Sequence, residues 1–138
     1  MDNGFQTNYQ IPRERSDHIA RPRLVDRLTR TAEAKLVLVV APASYGKTML
    51  LAEFARNRPG KVAWYSAEAT DSDVSTFLQR VRASVATALP DLPTQTTGSM
   101  DASSNVDVRS QVVGLVNWLS RLDCEILMIW DDIHKLDD

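Results

Sequence analysis

The stretch "VVAPASYGKTMLL", residues 39–51, is the strongest indication of the fold in this sequence. It matches the pattern G-x-x-x-x-G-K-[ST] of phosphate-binding loops except that Ala41 stands in place of the first glycine. Ala41 precedes Pro42, and a residue before proline is pushed toward extended geometry, which alanine adopts without strain. The glycine that matters comes just before the lysine, where a side chain would obstruct a phosphate, and Gly46 is present there. Ala41 therefore leaves the predicted loop intact.

The predicted loop binds a nucleotide through its backbone and two side chains. Backbone N–H groups after Pro42 are expected to point at phosphate oxygens, while a helix begins beneath them. Lys47 is expected to reach the outer phosphates, and the Thr48 hydroxyl is expected to bind Mg²⁺. The predicted nucleotide-binding residues of the loop are Ser44, Tyr45, Gly46, Lys47, Thr48 and Met49. The open alternative is a strand–turn–helix link in which the lysine is merely solvated.

A magnesium nucleotide site also needs a carboxylate, and the apolar run "ILMIWDD", residues 126–132, ends in two aspartates. Ligands of open parallel sheets gather at the carboxyl ends of the strands. Asp131 is therefore expected to hold the metal ion near Thr48, and Asp132 to polarise an attacking water. The alternative is a buried strand followed by an acidic turn.

The order of predicted elements indicates an α/β fold with a parallel sheet and flanking helices. The sequence predicts helices over residues 20–34, 48–57, 74–89 and 108–122, and strands over residues 36–41, 61–67 and 125–132. Apolar spacing predicts that the helix near 108–122 turns inward Val112, Leu115, Val116 and Leu119. Residues 1–10 are expected to form a flexible arm, residues 11–138 a domain or part of one, and residues 90–106 a flexible loop.

Composition narrows the class of protein. Apolar residues make up 43% of the chain and charged residues 25%, which is ordinary for a globular protein with a core. The net charge of −2 argues against a general nucleic-acid binder. The single cysteine excludes an internal disulfide, and no apolar run approaches the roughly 20 residues that a membrane span needs. The first residues lack the features of a secretory signal, so a cytoplasmic location without membrane contact is expected.

Three stretches together resemble a known family: "APASYGKTMLLAEFA", "VAWYSAEATDSDVSTFLQRV" and "LMIWDDIHKL". They are similar to the N-terminal ATPase segment of MalT-type transcription activators of the LuxR family, which are STAND-class P-loop NTPases. In that family the loop typically reads S-P-A-G-Y-G-K-T, so a small first residue is normal, and Ser44 replaces the more frequent glycine. The resemblance covers nearly the whole chain from about Ile11 onward.

The resemblance implies a P-loop NTPase fold in an incomplete version with about three strands, in which the loop and the acidic strand end are the Walker A and Walker B motifs. It implies an ATP-driven switch that uses Mg²⁺ and whose ATP form self-associates, with DNA bound only through a C-terminal domain absent from this chain. It also implies that Ile19 and Arg21 lie beside the adenine. Hydrolysis by this chain alone is left open, because phosphoryl transfer usually needs an added cation.

Two other functions are open from the sequence. A small P-loop phosphotransferase would need a lid that carries arginines, and residues 90–106 contain no Lys or Arg. The other function is an interaction module that keeps the fold without turnover. The intact motif residues Lys47, Thr48 and Asp131 argue against that module.

Overall fold

The computed structural model describes residues 8–31, 33–92 and 107–137, which form a mixed arrangement of helices and strands. The chain divides into two units. The loop unit is Ile11–Pro59, and the sheet unit joins Met1–Gln10 to Gly60–Asp138. Most of the predicted arm, residues 1–7, and most of the predicted flexible loop, residues 93–106, lie outside the described residues.

The sheet unit is built on two parallel strands, β1 (Lys61–Ser66) and β2 (Ile126–Asp131). The register runs from Lys61 opposite Ile126 to Ser66 opposite Asp131, so the carboxyl ends of both strands meet at one edge. Three consecutive residues of β1, from residue 63 to residue 65, are at most 1% exposed. Burial of successive residues means that both faces of β1 are covered, as is usual for parallel strands.

Two helices follow β1 in the sheet unit, α3 (Val74–Ala88) and α4 (Val108–Ser120). Asp73 caps α3, because its carboxylate accepts a hydrogen bond of 3.1 Å from the backbone N–H of Thr76. This confirms the helix predicted over residues 74–89. The buried core of the unit joins strand and helix side chains, namely Ala63, Tyr65, Ala67, Leu78, Val81, Val85, Leu115 and Trp118.

The predicted inward face of α4 is wrong at two positions. Val112 and Val116 are 41% and 56% exposed, whereas Leu115 and Trp118 are 7% and 4% exposed. The two large side chains lie three residues apart on one helix face and remove more apolar area from water than the valines would. Valines adjoin Leu115 on the surface of this helix, so apolar spacing alone could not identify the buried side.

The loop unit contains two described helices, α1 (Pro22–Arg30) and α2 (Lys47–Asn57), which pack against each other. Proline at the first helical position suits the start of α1, because its missing N–H would have no acceptor inside the helix. α2 contributes the buried residues, and α1 contributes none. None of the helices in the described ranges is long and apolar enough to cross a membrane.

The strand predicted over residues 36–41 is wrong, because these residues are not in a strand. Their large side chains are exposed, with Leu36, Leu38 and Val40 at 80% to 82%. A parallel strand needs a neighbour to accept and donate its backbone hydrogen bonds. The described part of the loop unit holds two helices and no strand, so the segment finds no such neighbour there. The sheet therefore has two described strands rather than about three.

Candidate functional site

The loop before α2 is formed by two residues in the left-handed conformation. Ser44 has φ of 69° and Gly46 has φ of 73°. A residue with a side chain adopts this region at a cost, which explains why glycine at position 44 is frequent in the family that the sequence resembles. Helical hydrogen bonding begins when the N–H of Leu50 donates to the carbonyl of Gly46 over 3.0 Å. The loop thus turns sharply into the first turn of a helix, where backbone N–H groups attract anions.

Lys47 is the first residue of α2, and its ammonium group donates to the backbone carbonyl of Ala41. The side chain therefore reaches back across the loop from its last residue to its first. Two of the other predicted binding residues, Thr48 and Met49, are half-buried in the same helical turn, whereas Tyr45 is 64% exposed. Of the six predicted loop residues, the first three end the loop and the last three begin α2.

Arg21 lies at the same loop. Its guanidinium Nη1 donates to the carbonyl of Tyr45 over 2.8 Å. A methyl group built on Gly46 would come within 3.1 Å of Arg21 Nη2, so a side chain at position 46 would require the guanidinium to shift by a few tenths of an ångström. The other residue that the resemblance assigns to the adenine side, Ile19, is 79% exposed. Arg21 is thus found against the loop backbone, a contact that the sequence did not indicate.

A pair of polar side chains that the sequence analysis did not identify supports Arg21. Glu53 in α2 accepts hydrogen bonds of 3.3 and 3.2 Å from the backbone N–H of Arg21. His18 Nε2 lies 3.1 Å from Glu53 Oε2, and the side chains of His18 and Glu53 are only 6% and 12% exposed. One feature of the sequence could have indicated this pair. Glu53 is the only charged residue of the apolar run "LLAEFA", and a buried carboxylate requires hydrogen-bond or charged partners.

The two predicted acidic residues end β2 in the sheet unit. Asp131 is 6% exposed, and its backbone carbonyl accepts from the N–H of Ala67 over 3.0 Å. Asp132 follows with φ of 57°, and its carboxylate makes an ion pair of 3.1 Å with Lys135. The left-handed residue turns the chain sharply, so one aspartate is buried at the strand end and the next is partly exposed. The loop with Thr48 belongs to the loop unit, and a metal ion shared by Thr48 and Asp131 remains a prediction.

A hydrogen-bond network centred on the buried Asp71 lies beyond the carboxyl end of β1. The hydroxyl of Tyr65 donates to Asp71 over 2.8 Å, and Arg80 Nε donates to the same carboxylate over 3.0 Å. Arg80 Nη1 also donates to the Tyr9 hydroxyl over 3.0 Å. Burial raises the pKa of Tyr65 well above its ordinary value, and the hydrogen bond to Asp71 adds to this shift. The network fixes the connection from β1 to α3 and binds Tyr9 to it.

The fold and the loop together define an α/β segment in which a G-K-T turn leads into a helix. No family model matches the chain. Over 60 residues, 44% of this chain and 6% of the relative, it is 42% identical to the HTH-type transcriptional regulator MalT of Vibrio campbellii. It is 40% identical to MalT of Vibrio cholerae over 60 residues, with the same shares of each chain.

A longer match extends over most of the chain. It is 29% identical over 125 residues to MalT of Yersinia pestis, which is 86% of this chain and 13% of that protein. The chain is thus related to the MalT-type transcriptional regulators. It spans only a small part of these relatives, since the matches cover 6% to 13% of their length.

Proposed function

We propose that this chain is the ATP-binding switch segment of a MalT-like, LuxR-family transcriptional regulator, with a P-loop NTPase-type fold. The observation that carries the proposal is the geometry of residues 41–49. Two left-handed residues, Ser44 and Gly46, turn the backbone into the start of α2, and Lys47 folds back over that turn. The relation to transcriptional regulators supports a regulatory role for such a site.

The backbone at the start of α2 and the Lys47 side chain both suit a phosphate group. The first N–H groups of a helix lack acceptors within the helix, and the helix dipole adds positive potential at the same end. Gly46 lets the Arg21 guanidinium approach the turn closely, since a Cβ at this position would lie 3.1 Å from Arg21 Nη2. Lys47 would exchange the neutral carbonyl of Ala41 for a phosphate oxygen, which is a stronger acceptor for an ammonium group.

In this proposal, Thr48 and Asp131 bind the magnesium ion. Mg²⁺ bound with a nucleotide takes few protein ligands and completes its shell with phosphates and water. The ion would neutralise charge on the phosphates. Asp132 would orient an attacking water, and its ion pair with Lys135 would then have to open. Hydrolysis therefore requires a rearrangement that binding does not require.

In the proposed regulator, nucleotide binding favours a self-associating form, and promoter DNA is bound outside this segment. The near-neutral balance of charge supports this division, because a net charge of −2 is unsuited to binding the DNA backbone. The partners assigned to this chain are accordingly ATP with Mg²⁺ and other copies of the regulator.

Calorimetric titration of the full chain with Mg-ATP tests the proposal. We expect saturable binding by the wild type and loss of most of that affinity in Lys47→Ala, because the charged donor at the loop is removed. Lys35→Ala is the matched control, since it removes an exposed lysine of the same unit before the loop. Circular dichroism checks that each variant is folded. Equal affinities of wild type and Lys47→Ala, or no binding by a folded wild type, would contradict the proposal.

A further inference from the structure

The loop has a second cation beside Lys47. The Arg21 guanidinium donates to the Tyr45 carbonyl and lies 3.1 Å from the position that a side chain on Gly46 would occupy. One of its N–H groups is engaged by that carbonyl, and a guanidinium carries several more. Both cations thus lie on the backbone of one short turn, Lys47 at Ala41 and Arg21 at Tyr45.

An anchor formed by the side chains of Glu53 and His18 holds Arg21 in this position. The Arg21 backbone N–H donates to both carboxylate oxygens of Glu53, and His18 contacts the same carboxylate. The Glu53 side chain is only 12% exposed, so its carboxylate is largely removed from water and depends on these partners. Lys47 and Glu53 belong to one helix, α2. The anchor therefore ties the segment that carries Arg21 to the helix that carries Lys47.

The chemistry of the guanidinium favours a phosphate as its ligand. Its planar set of N–H donors matches the oxygens of a phosphate and can bind two of them at once. A neutral backbone carbonyl such as that of Tyr45 is a weaker acceptor for a charged donor. An anion seated on the turn would therefore compete for Arg21, as it would for Lys47.

We propose that Arg21 is a phosphate-contacting residue of this loop and that the His18–Glu53 pair positions it. This inference rests on the proposed nucleotide function and adds a residue and its support to that site. It differs from the role implied by the family resemblance, in which Arg21 lies beside the adenine. On binding, the guanidinium transfers a hydrogen bond from the Tyr45 carbonyl to a phosphate oxygen, and no covalent bond changes.

Titration of the full chain with inorganic tripolyphosphate and, separately, with adenosine distinguishes the two roles. We expect Arg21→Ala to weaken tripolyphosphate binding by about tenfold, the effect of losing a charge-assisted hydrogen bond, and to leave adenosine binding unchanged. Arg21→Lys keeps the charge without the planar fork and should give a smaller loss. Arg23→Ala is the matched control, because it removes an exposed arginine two residues along.

A double-mutant cycle tests the anchor. Glu53→Gln should weaken tripolyphosphate binding in the wild-type background and add little to Arg21→Ala, because it acts through Arg21. Its effect on thermal stability should persist in both backgrounds. An effect on binding that is equally large without Arg21 would overturn the positioning role of Glu53.

Two outcomes separate failure of the inference from failure of the proposed function. If Arg21→Ala binds tripolyphosphate as the wild type does while Lys47→Ala does not, the loop binds phosphate and the assignment of Arg21 is wrong. If the folded wild type binds neither tripolyphosphate nor Mg-ATP, the proposed function and the inference both fail.

Discussion

The apolar runs of the two units of this chain differ in exposure. In the sheet unit, Trp64 and Tyr65 are fully buried, and the strand that carries them is paired along its length. In the loop unit, Leu36 and Leu38 are about four-fifths exposed, whereas the charged residue Glu53 is buried. The sheet unit thus buries the apolar run of a paired strand, whereas the loop unit leaves its apolar run at residues 36–40 largely exposed and buries side chains of α2 instead.

This difference predicts different consequences of substitution. Changes to the sheet unit should act mainly on the free energy of unfolding, because its buried groups are large and closely packed. Changes to the turn of the loop unit should act mainly on ligand binding, because its polar contacts surround the candidate site. The following variants test that contrast, beginning with the largest expected effect on stability.

Trp64→Ala should produce the largest loss. Its indole is fully buried and its Nε1–H donates to the Ser66 hydroxyl over 2.8 Å. Truncation of a buried tryptophan costs about 4 kcal/mol through lost transfer energy and a cavity. Urea denaturation followed by circular dichroism measures the change. Trp130→Ala is the control, because that side chain is 36% exposed and should cost much less. Equal costs at the two positions would contradict the described core.

Tyr65→Phe should cost about 1 to 2 kcal/mol near neutral pH, because Asp71 loses a buried hydrogen-bond donor. The variant should also change how the free energy of unfolding depends on pH in the alkaline range. Burial raises the pKa of Tyr65 in the folded state, so its contribution to stability is complete below the ordinary tyrosine pKa of about 10 and is lost as the pH rises above that value.

The pH dependence has a clear readout. Between pH 9 and pH 11 the wild type should lose more stability than Tyr65→Phe, measured by urea denaturation at each pH. Tyr45→Phe is a matched control, because it removes a phenol that is 64% exposed in the loop unit and leaves Tyr65 in place. It should keep the wild-type slope. A Tyr65→Phe variant with an unchanged slope would show that another group titrates.

Two variants of the turn should change stability in opposite directions. Gly46→Ala places a side chain in the left-handed region and against Arg21, so it should cost about 1 kcal/mol. Ser44→Gly relieves the same strain at φ of 69° and should stabilise by about 0.5 kcal/mol after the added flexibility of the unfolded chain is counted. Thermal melting compares both with the wild type. A stabilising Gly46→Ala would contradict the described turn.

Leu38→Ser should have the smallest effect, within about 0.5 kcal/mol, because its side chain is 80% exposed. Denaturation by urea again measures it. Leu78→Ser in the sheet unit is the contrasting variant, since Leu78 is 6% exposed and contributes to the core. A large loss in Leu38→Ser would mean that residues 36–41 are packed when the chain is in solution.

Local patterns predicted most elements, because these elements are specified by short-range features. The helices predicted over residues 74–89 and 108–122 became α3 and α4, and the apolar runs at residues 61–66 and 126–131 became paired strands. The strand predicted over residues 36–41 has the same composition but lacks a described neighbour in its own unit. Composition therefore predicted a tendency to form a strand, whereas the strand itself depends on a partner.

The local shape of the loop was predictable where a motif describes it. The positions of the glycine and the lysine in the loop pattern predict that Gly46 leads directly into α2, whereas the binding roles of residues 44–49 stay predictions. The contact of Arg21 with Tyr45 and the burial of Glu53 with His18 join residues 24 and 35 positions apart. Such contacts depend on packing between segments, and no local pattern indicates them.

Hydrogen exchange of the full chain with and without Mg-ATP tests the central claim most directly, namely that residues 41–49 bind the nucleotide. We predict that Mg-ATP slows exchange of the backbone amides from Ser44 to Met49 and leaves the centre of β1, at Ala63 to Tyr65, unchanged. The protection should disappear in Lys47→Ala. Saturable binding with protection elsewhere, and none at the loop, would contradict the account.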